Sequence, residues 1–357
     1  MSLERRILRD NPQAMRPLFL SVGVGFLAAV CTVGFLILIS IVVAGVFLGD
    51  QTLEGSLPYA AGMIVLLLLR SALLWVREPL AQRAAAVTIA GTRDRLIGHV
   101  HALGPAYTHH ERGGELANTL IGGVAELDEY MALYQPARYL AALVPVFVLL
   151  VILWIDPWST LVMLFAGPIL ILLLVFIGQR TSILAEQRFD DLSWMSAYFL
   201  DMLRGLPTLK QFNRSKEQAD NIEAISSQFG RTTMDVLRTA FQTSLVLEWG
   251  ATAATALVAV EVSLRLMTGL MPFSEALAVL LLTPEFFMPL RQLALQYHAG
   301  TEGKAAARRI YAILDEPVPE QTGAATTPTA VSLANGIRFD GVTVRYDQRQ
   351  PALEGFT

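Results

Sequence analysis

Apolar residues in this chain gather in long runs, without the strict alternation of a half-buried strand. Six such runs stand out: Pro17 to Leu48, Tyr59 to Trp75, Tyr139 to Trp154, Thr160 to Gly178, Ala240 to Leu264 and Glu275 to Leu293. A helix of about 17–25 apolar residues crosses the hydrocarbon core of a bilayer, so the pattern predicts six transmembrane helices. After Pro317 the pattern changes. Val318 to Asn335 is rich in Pro, Thr, Ala and Gly and reads as a linker. Ile337, Phe339, Val342 and Val344 then alternate as a strand would, followed by a turn and a second apolar start. The expected organisation is an all-α membrane domain over 1–317, a linker over 318–335, and the opening strands of another domain over 336–357.

The connections between the runs fall into two kinds. Gly49 to Pro58, Ile155 to Ser159 and Met267 to Ser274 are short and hold no Lys or Arg; Arg265 is the one basic residue on that side. The other segments are long and basic. Arg5, Arg6, Arg9 and Arg16 precede the first run, Arg77, Arg83, Arg93, Arg95, Arg112 and Arg138 follow the second, and Arg180 to Arg238 includes eight more cations after the fourth. By the positive-inside rule both termini and both long connections face the cytoplasm. Structureless loops beyond about 15 residues are uncommon, so the long connections are expected to be helices that extend the spans. Arg83 to Leu103 has helical spacing and stops at Gly104-Pro105; a new helix is expected from Gly114 into the third span. The second connection repeats the plan, with its break at Gly205-Leu206-Pro207.

Composition agrees with a membrane protein: 54% of residues are hydrophobic and 16% charged, against about 25% charged in soluble domains. The single cysteine, Cys31, excludes a disulfide within the chain and reads as a small hydrophobe. Met1 to Arg16 is charged and the run after it is too long for a signal peptide.

Charges inside the spans are the first candidates for function, because they are costly there and normally face a cavity or the bundle interior. Arg70, Glu248, Glu285 and Arg291 qualify. At 1.5 Å per residue, Arg70 lies about 17 Å below Tyr59 and Glu285 about 18 Å below Phe273, so the two share a level. Glu248 and Arg291 form a second, nearer the cytoplasm. Cavity lining and snorkelling to the inner interface both remain open for Arg70. Pro284 and Pro289 bracket Glu285-Phe286-Phe287 and predict a kink, with Phe286 and Phe287 either lining a cavity or packing between helices. His109, His110 and His298 read as polar turn and interfacial residues; Gly300 to Lys304 (GTEGK) has the wrong spacing for a phosphate loop, and GxxxxGK[ST] occurs nowhere in the chain.

Six helices, short loops on one side and two long helical connections on the other resemble the transmembrane domain of type I ABC exporters. The resemblance implies that the turns within GPAYTHHERGGEL and DMLRGLPTLKQF are coupling elements, with Tyr107, Leu206 and Pro207 at their centres. AAARRIYAILDEP resembles that family's closing segment of the sixth helix. GIRFDGVTVRYDQRQPALEGFT resembles the opening hairpin of the ATP-binding domain, which places Tyr346 where an aromatic residue stacks on adenine. LRSALLWVRE, MDVLRTAF and LTPEFFMPLRQLALQYHAG, together with DMLRGLPTLKQF, resemble the CydD half of CydDC-type transporters.

That resemblance implies a heterodimer with a CydC-like half-transporter in the inner membrane. Its cargo would be cysteine or glutathione, with haem as another cargo or ligand, moved to the periplasm in support of cytochrome bd assembly. ATP and Mg belong to the full-length protein. As it stands the sequence lacks the phosphate loop and is expected not to hydrolyse ATP. The partners implied are the second subunit, a small-molecule cargo and membrane lipid, with no nucleic acid and no metal site. A homodimeric lipid, peptide or drug exporter is the alternative within the class; a secondary transporter or membrane-anchored sensor is the alternative outside it.

Overall fold

The computed structural model describes residues 3–49, 53–110, 116, 119–169, 171–172, 205, 207–212, 215–318, 340–344 and 353–357. Helices α1 (Leu3–Asp10), α2 (Pro12–Leu48) and α3 (Leu53–His110) come first. They are followed by α4 (Thr119–Ile155), α5 (Pro157–Ile169) and α6 (Ser215–Met267). Helices α7 (Phe273–Leu295) and α8 (Tyr297–Leu314) precede a short antiparallel hairpin of β1 (Val342–Val344) and β2 (Leu353–Phe356). Among the described residues five helices are long and apolar enough to span a membrane, within α2, α3, α4, α6 and α7. Helix α5 covers the start of the fourth predicted span, whose remainder lies outside the described residues.

The expected helical extensions of the second, third and fifth spans are present; that of the fourth, leading to the predicted break at Gly205-Leu206-Pro207, lies largely outside the described residues. α3 runs on past its apolar stretch as far as Gly104, where φ is +79° and ψ −178°. Only glycine adopts that backbone without a steric penalty, so the predicted stop falls where the sequence placed it. α6 likewise begins at Ser215, well ahead of its apolar stretch. α4 runs as one helix from Thr119 into the third span, with π-helical turns at Thr119–Gly123 and Tyr130–Tyr134.

The chain forms two units. One comprises residues 21–78 and 137–297. Its core joins Val22 and Val33 of α2, Val144, Val148 and Ile152 of α4, Met163 of α5, Val258 and Val262 of α6, and Val279 through Leu290 of α7. The α4 positions recur every four residues, which makes one continuous ridge. Lipid is as apolar as leucine, so close packing rather than the hydrophobic effect holds such helices together, and small residues mark the contacts. Gly34 of α2 meets Leu66 of α3, and Gly62 of α3 meets Leu38 of α2; a Cβ at either glycine would lie 3.3 Å from the leucine. The outward faces stay apolar: Val65, Leu68 and Leu164 are each more than half exposed.

The other unit comprises residues 1–20, 79–136 and 298–357. Ala84, Ala85, Thr88 and Leu96 of α3 are fully buried in it, as are Val124 and Tyr130 of α4 and Ala306 and Ile310 of α8.

Candidate functional site

The six residues that the sequence assigns to a cargo cavity all lie in the membrane-spanning unit. Arg70 is on α3, Glu248 on α6, and Glu285, Phe286, Phe287 and Arg291 on α7. Arg70 and Glu285 are each half-buried, and Arg70 is the charged group whose field reaches Glu285. No salt bridge joins them among the described residues. They therefore offer one guanidinium and one carboxylate to a third group. Glu248 and Arg291 do pair, at 3.8 Å, with side chains 63% and 48% exposed. A pair that open contributes little to stability by itself.

Phe286 and Phe287 are 4% and 3% exposed and meet edge to face, with ring centroids 4.8 Å apart. Gly167 of α5 admits the first ring, since a Cβ there would lie 2.8 Å from Phe286 Cζ. Within this chain both rings pack in the core. The backbone of α7 stays helical through Pro284 and Pro289, and its interruption falls at Gln296 instead (φ −90°, ψ 8°). Each proline removes one i→i−4 donor, and beside Pro284 the Thr283 hydroxyl donates to the Val279 carbonyl at 2.7 Å.

The strongest polar cluster of this unit is one that sequence reasoning missed. Asp156 sits between α4 and α5 with its side chain 2% exposed. Pro157 follows at the first helical position, which proline favours. Ser159 donates its backbone N–H to Asp156 Oδ2 at 2.8 Å and its hydroxyl to the same oxygen at 2.5 Å, so Asp156 caps α5. Arg265 of α6 donates to both Asp156 oxygens at 2.7 Å and to Glu261 at 3.1 Å. Burial works against the charged form of Asp156, yet the bonds from Arg265 and Ser159 prevail and hold its pKa below the ordinary carboxylate value. The signal available was Asp-Pro-x-Ser after an apolar run, a helix-start pattern. Its partner 109 residues away had no local signature. α6 then ends just past Arg265, where Gly269 (φ +74°) donates to the Leu266 carbonyl and Leu270 to the Arg265 carbonyl. That is a Schellman motif.

In the other unit, α1 is tied to the end of α8. Arg6 makes a bidentate pair with Asp315 and lies 4.3 Å from the centroid of the Tyr311 ring. The Arg6 bond holds the exposed Asp315 carboxyl below its usual range. Burial, then the charge of Asp10 and a hydrogen bond to it, push the Tyr311 hydroxyl well above its usual value. Asp10 is also 3.1 Å from Arg95 of α3. His99 Nε2 donates to the Glu316 carbonyl at 3.0 Å. Tyr107, at the predicted first coupling turn, borders a cavity of about 240 Å3 with Leu116, Arg309, Ile313 and Glu316.

The glycines of GTEGK have a packing role here. Gly300 and Gly303 of α8 rest against Tyr134 and Tyr130, and a Cβ at either would overlap a ring. The two tyrosines stack at 5.5 Å, Tyr130 accepts from Gln135 Nε2 at 2.8 Å, and Lys304 Nζ lies 5.3 Å from the Tyr134 centroid.

The family model for the ABC transporter transmembrane region matches residues 18–290. The chain belongs to that family. Among similar proteins, CydD of Haemophilus influenzae, a glutathione/L-cysteine transport system ATP-binding/permease protein, is 31% identical over 267 residues. That match covers 72% of this chain and 46% of the relative. CydC of Bacillus subtilis, with the same system name, is 30% identical over 77% of this chain and 48% of its own length. The transport ATP-binding protein AarD of Providencia stuartii is 28% identical over 90% and 56%. The chain thus spans about half the length of the curated relatives it matches.

Within this ABC membrane domain, the structure pairs Glu248 with Arg291 and leaves Arg70 and Glu285 without a salt bridge between them. Pro207 is exposed on a short helical stretch. Leu206 and Tyr346 lie outside the described residues, as do the side chains of His109 and His110. His298 is exposed.

Proposed function

We propose that this chain is the membrane-spanning part of one subunit of a heterodimeric, ATP-driven exporter of small thiols, glutathione or cysteine, working with a CydC-like partner. Both termini face the cytoplasm, residues 1–317 form the transport domain, and 318–335 link it to an ATP-binding domain beginning near residue 336. The observation that carries the cargo reading is the half-buried, unbridged Arg70 and Glu285. A cysteine-containing zwitterion presents a carboxylate to the guanidinium and an ammonium to the carboxylate, each a charge-assisted hydrogen bond. Glu248 and Arg291, exposed in the single chain, form a second level of the same kind. A partner is supported by the surface left open. None of the most apolar window of α3 is buried within the chain, and only 11% of that of α6.

Tyr107, Leu206 and Pro207 are assigned to the coupling turns, and Tyr346 to adenine stacking in the complete subunit. Export towards the periplasm in support of cytochrome bd assembly completes the reading. The deciding experiment is ATP-dependent uptake of labelled glutathione and cysteine into everted vesicles carrying the full-length subunit with its partner. Uptake of both above a haem or phospholipid control supports the proposal. Uptake of haem or lipid alone, or thiol uptake indifferent to ATP, overturns it. A reporter fused after Pro58 should read the periplasm and one after Lys216 the cytoplasm.

A further inference from the structure

A groove of about 310 Å3 opens between the first turns of α2 and the extension of α3. Gln13, Arg16 and Leu20 line it from α2; Leu80, Arg83 and Val87 line it from α3. The spacings of three, four and seven residues put each set on one helical face. The result is two guanidinium groups over an aliphatic floor. Both arginines are exposed, and neither forms a salt bridge or hydrogen bond among the described residues. Arg6 and Arg95 in the same unit, by contrast, each hold a carboxylate. The closest acidic residue along α3, Glu78, is not part of the lining.

Position narrows the ligand. Arg16 immediately precedes the first apolar run, and Arg83 follows Trp75, which is 81% exposed at the end of the second. Tryptophan at a span end marks the headgroup level. Leu20 and Phe19 are 57% and 47% exposed on the side where α2 enters the apolar region. A ligand here has an anionic head for two guanidinium forks and hydrocarbon for the leucine and valine floor. The groove volume lies at the small end of ligand pockets, enough for a headgroup whose chains continue along α2. Planar guanidinium groups match phosphate oxygens in a bidentate way, and basic pockets between helices at the cytoplasmic face favour anionic lipid headgroups.

We propose that Arg16 and Arg83 hold the phosphodiester of an anionic phospholipid from the inner leaflet, with its acyl chains against Leu20, Leu80 and Val87. The inference is independent of cargo and ATP, so its failure would leave the transport reading standing. The test uses the full-length transporter, reconstituted in phosphatidylcholine vesicles with or without phosphatidylglycerol, extracted gently and weighed intact by native mass spectrometry. Wild type should retain phosphatidylglycerol over phosphatidylcholine. Arg16→Gln with Arg83→Gln should lower that retention about thirtyfold, in line with the contribution of two surface cations. Arg5→Gln, which changes a cation of α1 outside the groove, should leave it unchanged. Arg16→Lys with Arg83→Lys should keep an intermediate share, which separates lost charge from a fold disturbed at these positions. Inorganic phosphate at millimolar concentration should not displace the lipid. Equal retention in the double glutamine variant, equal loss in Arg5→Gln, or displacement by phosphate alone would each overturn the assignment.

Discussion

Replacing Arg265 by alanine should be among the most damaging single changes in the membrane-spanning unit, although it lies outside the cargo level. The substitution leaves the Asp156 carboxylate 2% exposed, bonded only to Ser159 and facing Glu261 through that serine. Removing one partner of a buried pair costs about 3–5 kcal/mol. Arg265 is itself 23% exposed, so water screens part of that loss and a smaller cost, about 2–3 kcal/mol, is expected. Asp156→Asn should be milder, because asparagine caps a helix as well as aspartate does and the loss is confined to the charge. Asp156→Ala should add about 1 kcal/mol for the missing cap. Asp156→Asn combined with Arg265→Gln should cost less than the sum of its parts, since the two groups touch. Thermal melts of the full-length transporter in mild detergent, followed by size-exclusion fluorescence, report the order. The same cluster predicts acid behaviour. The folded pKa of Asp156 is depressed, so its stabilisation is present above the unfolded value near 4 and fades as pH falls through the lower folded value. Wild type should therefore melt at a constant temperature from about pH 5 to 8 and drop below about pH 4, and Asp156→Asn should flatten that drop. An Arg265→Ala protein as stable as wild type, or strictly additive losses in the double change, would refute the account.

Arg70→Ala should lower binding of anionic cargo and also expression, since an unpaired charge at that depth costs at least about 2.5 kcal/mol. Arg70→Met with Glu285→Leu should restore folding but not transport, and additive stability losses in that cycle would mean the residues are uncoupled. Gly303→Leu should destabilise the transporter by about 1–3 kcal/mol through overlap with Tyr130, visible as a lowered melting temperature. Gly98→Leu, where nothing lies within 4 Å of the added Cβ, should be nearly silent in the same melt. Arg6→Ala should change stability by no more than about 1 kcal/mol, because its pair with Asp315 is solvent-exposed.

What the sequence made legible was what local chemistry dictates. Long apolar runs can only be helices in lipid, because every backbone group must be satisfied within the segment. Gly104 stood out because a glycine before a proline ends a helix. The expectation that Arg70 and Glu285 share a level rests on helical rise alone. Long-range contacts were less accessible. Arg265 read as an exception to the charge asymmetry, and its anchoring by Asp156 and Glu261 explains why a cation sits on that side. For Phe286 and Phe287 the sequence left cavity lining beside the commoner fate of helix packing; in the fold Gly167 lies behind the first ring and both rings are buried. The prolines of α7 suggested a bend between them, yet the helix loses its regularity about two turns after Pro289, at Gln296. GTEGK could be dismissed as a phosphate loop from its spacing, but the tyrosines its glycines accommodate lie far back on another helix.

Those glycines set the register of α8 like teeth on a rack. Sliding α8 by one residue along the rings would bring Thr301 and Lys304 to the two flat places, and sliding it a full turn would bring Gly303 and Ala306. Either shift forces a Cβ into a tyrosine that leaves no room for one. The segment that leads out of the membrane domain therefore cannot creep along α4 in small steps. Any stroke passing through it must carry Tyr130 and Tyr134 along as one body, so a pull on the end of α8 arrives at α4 undiminished by slippage.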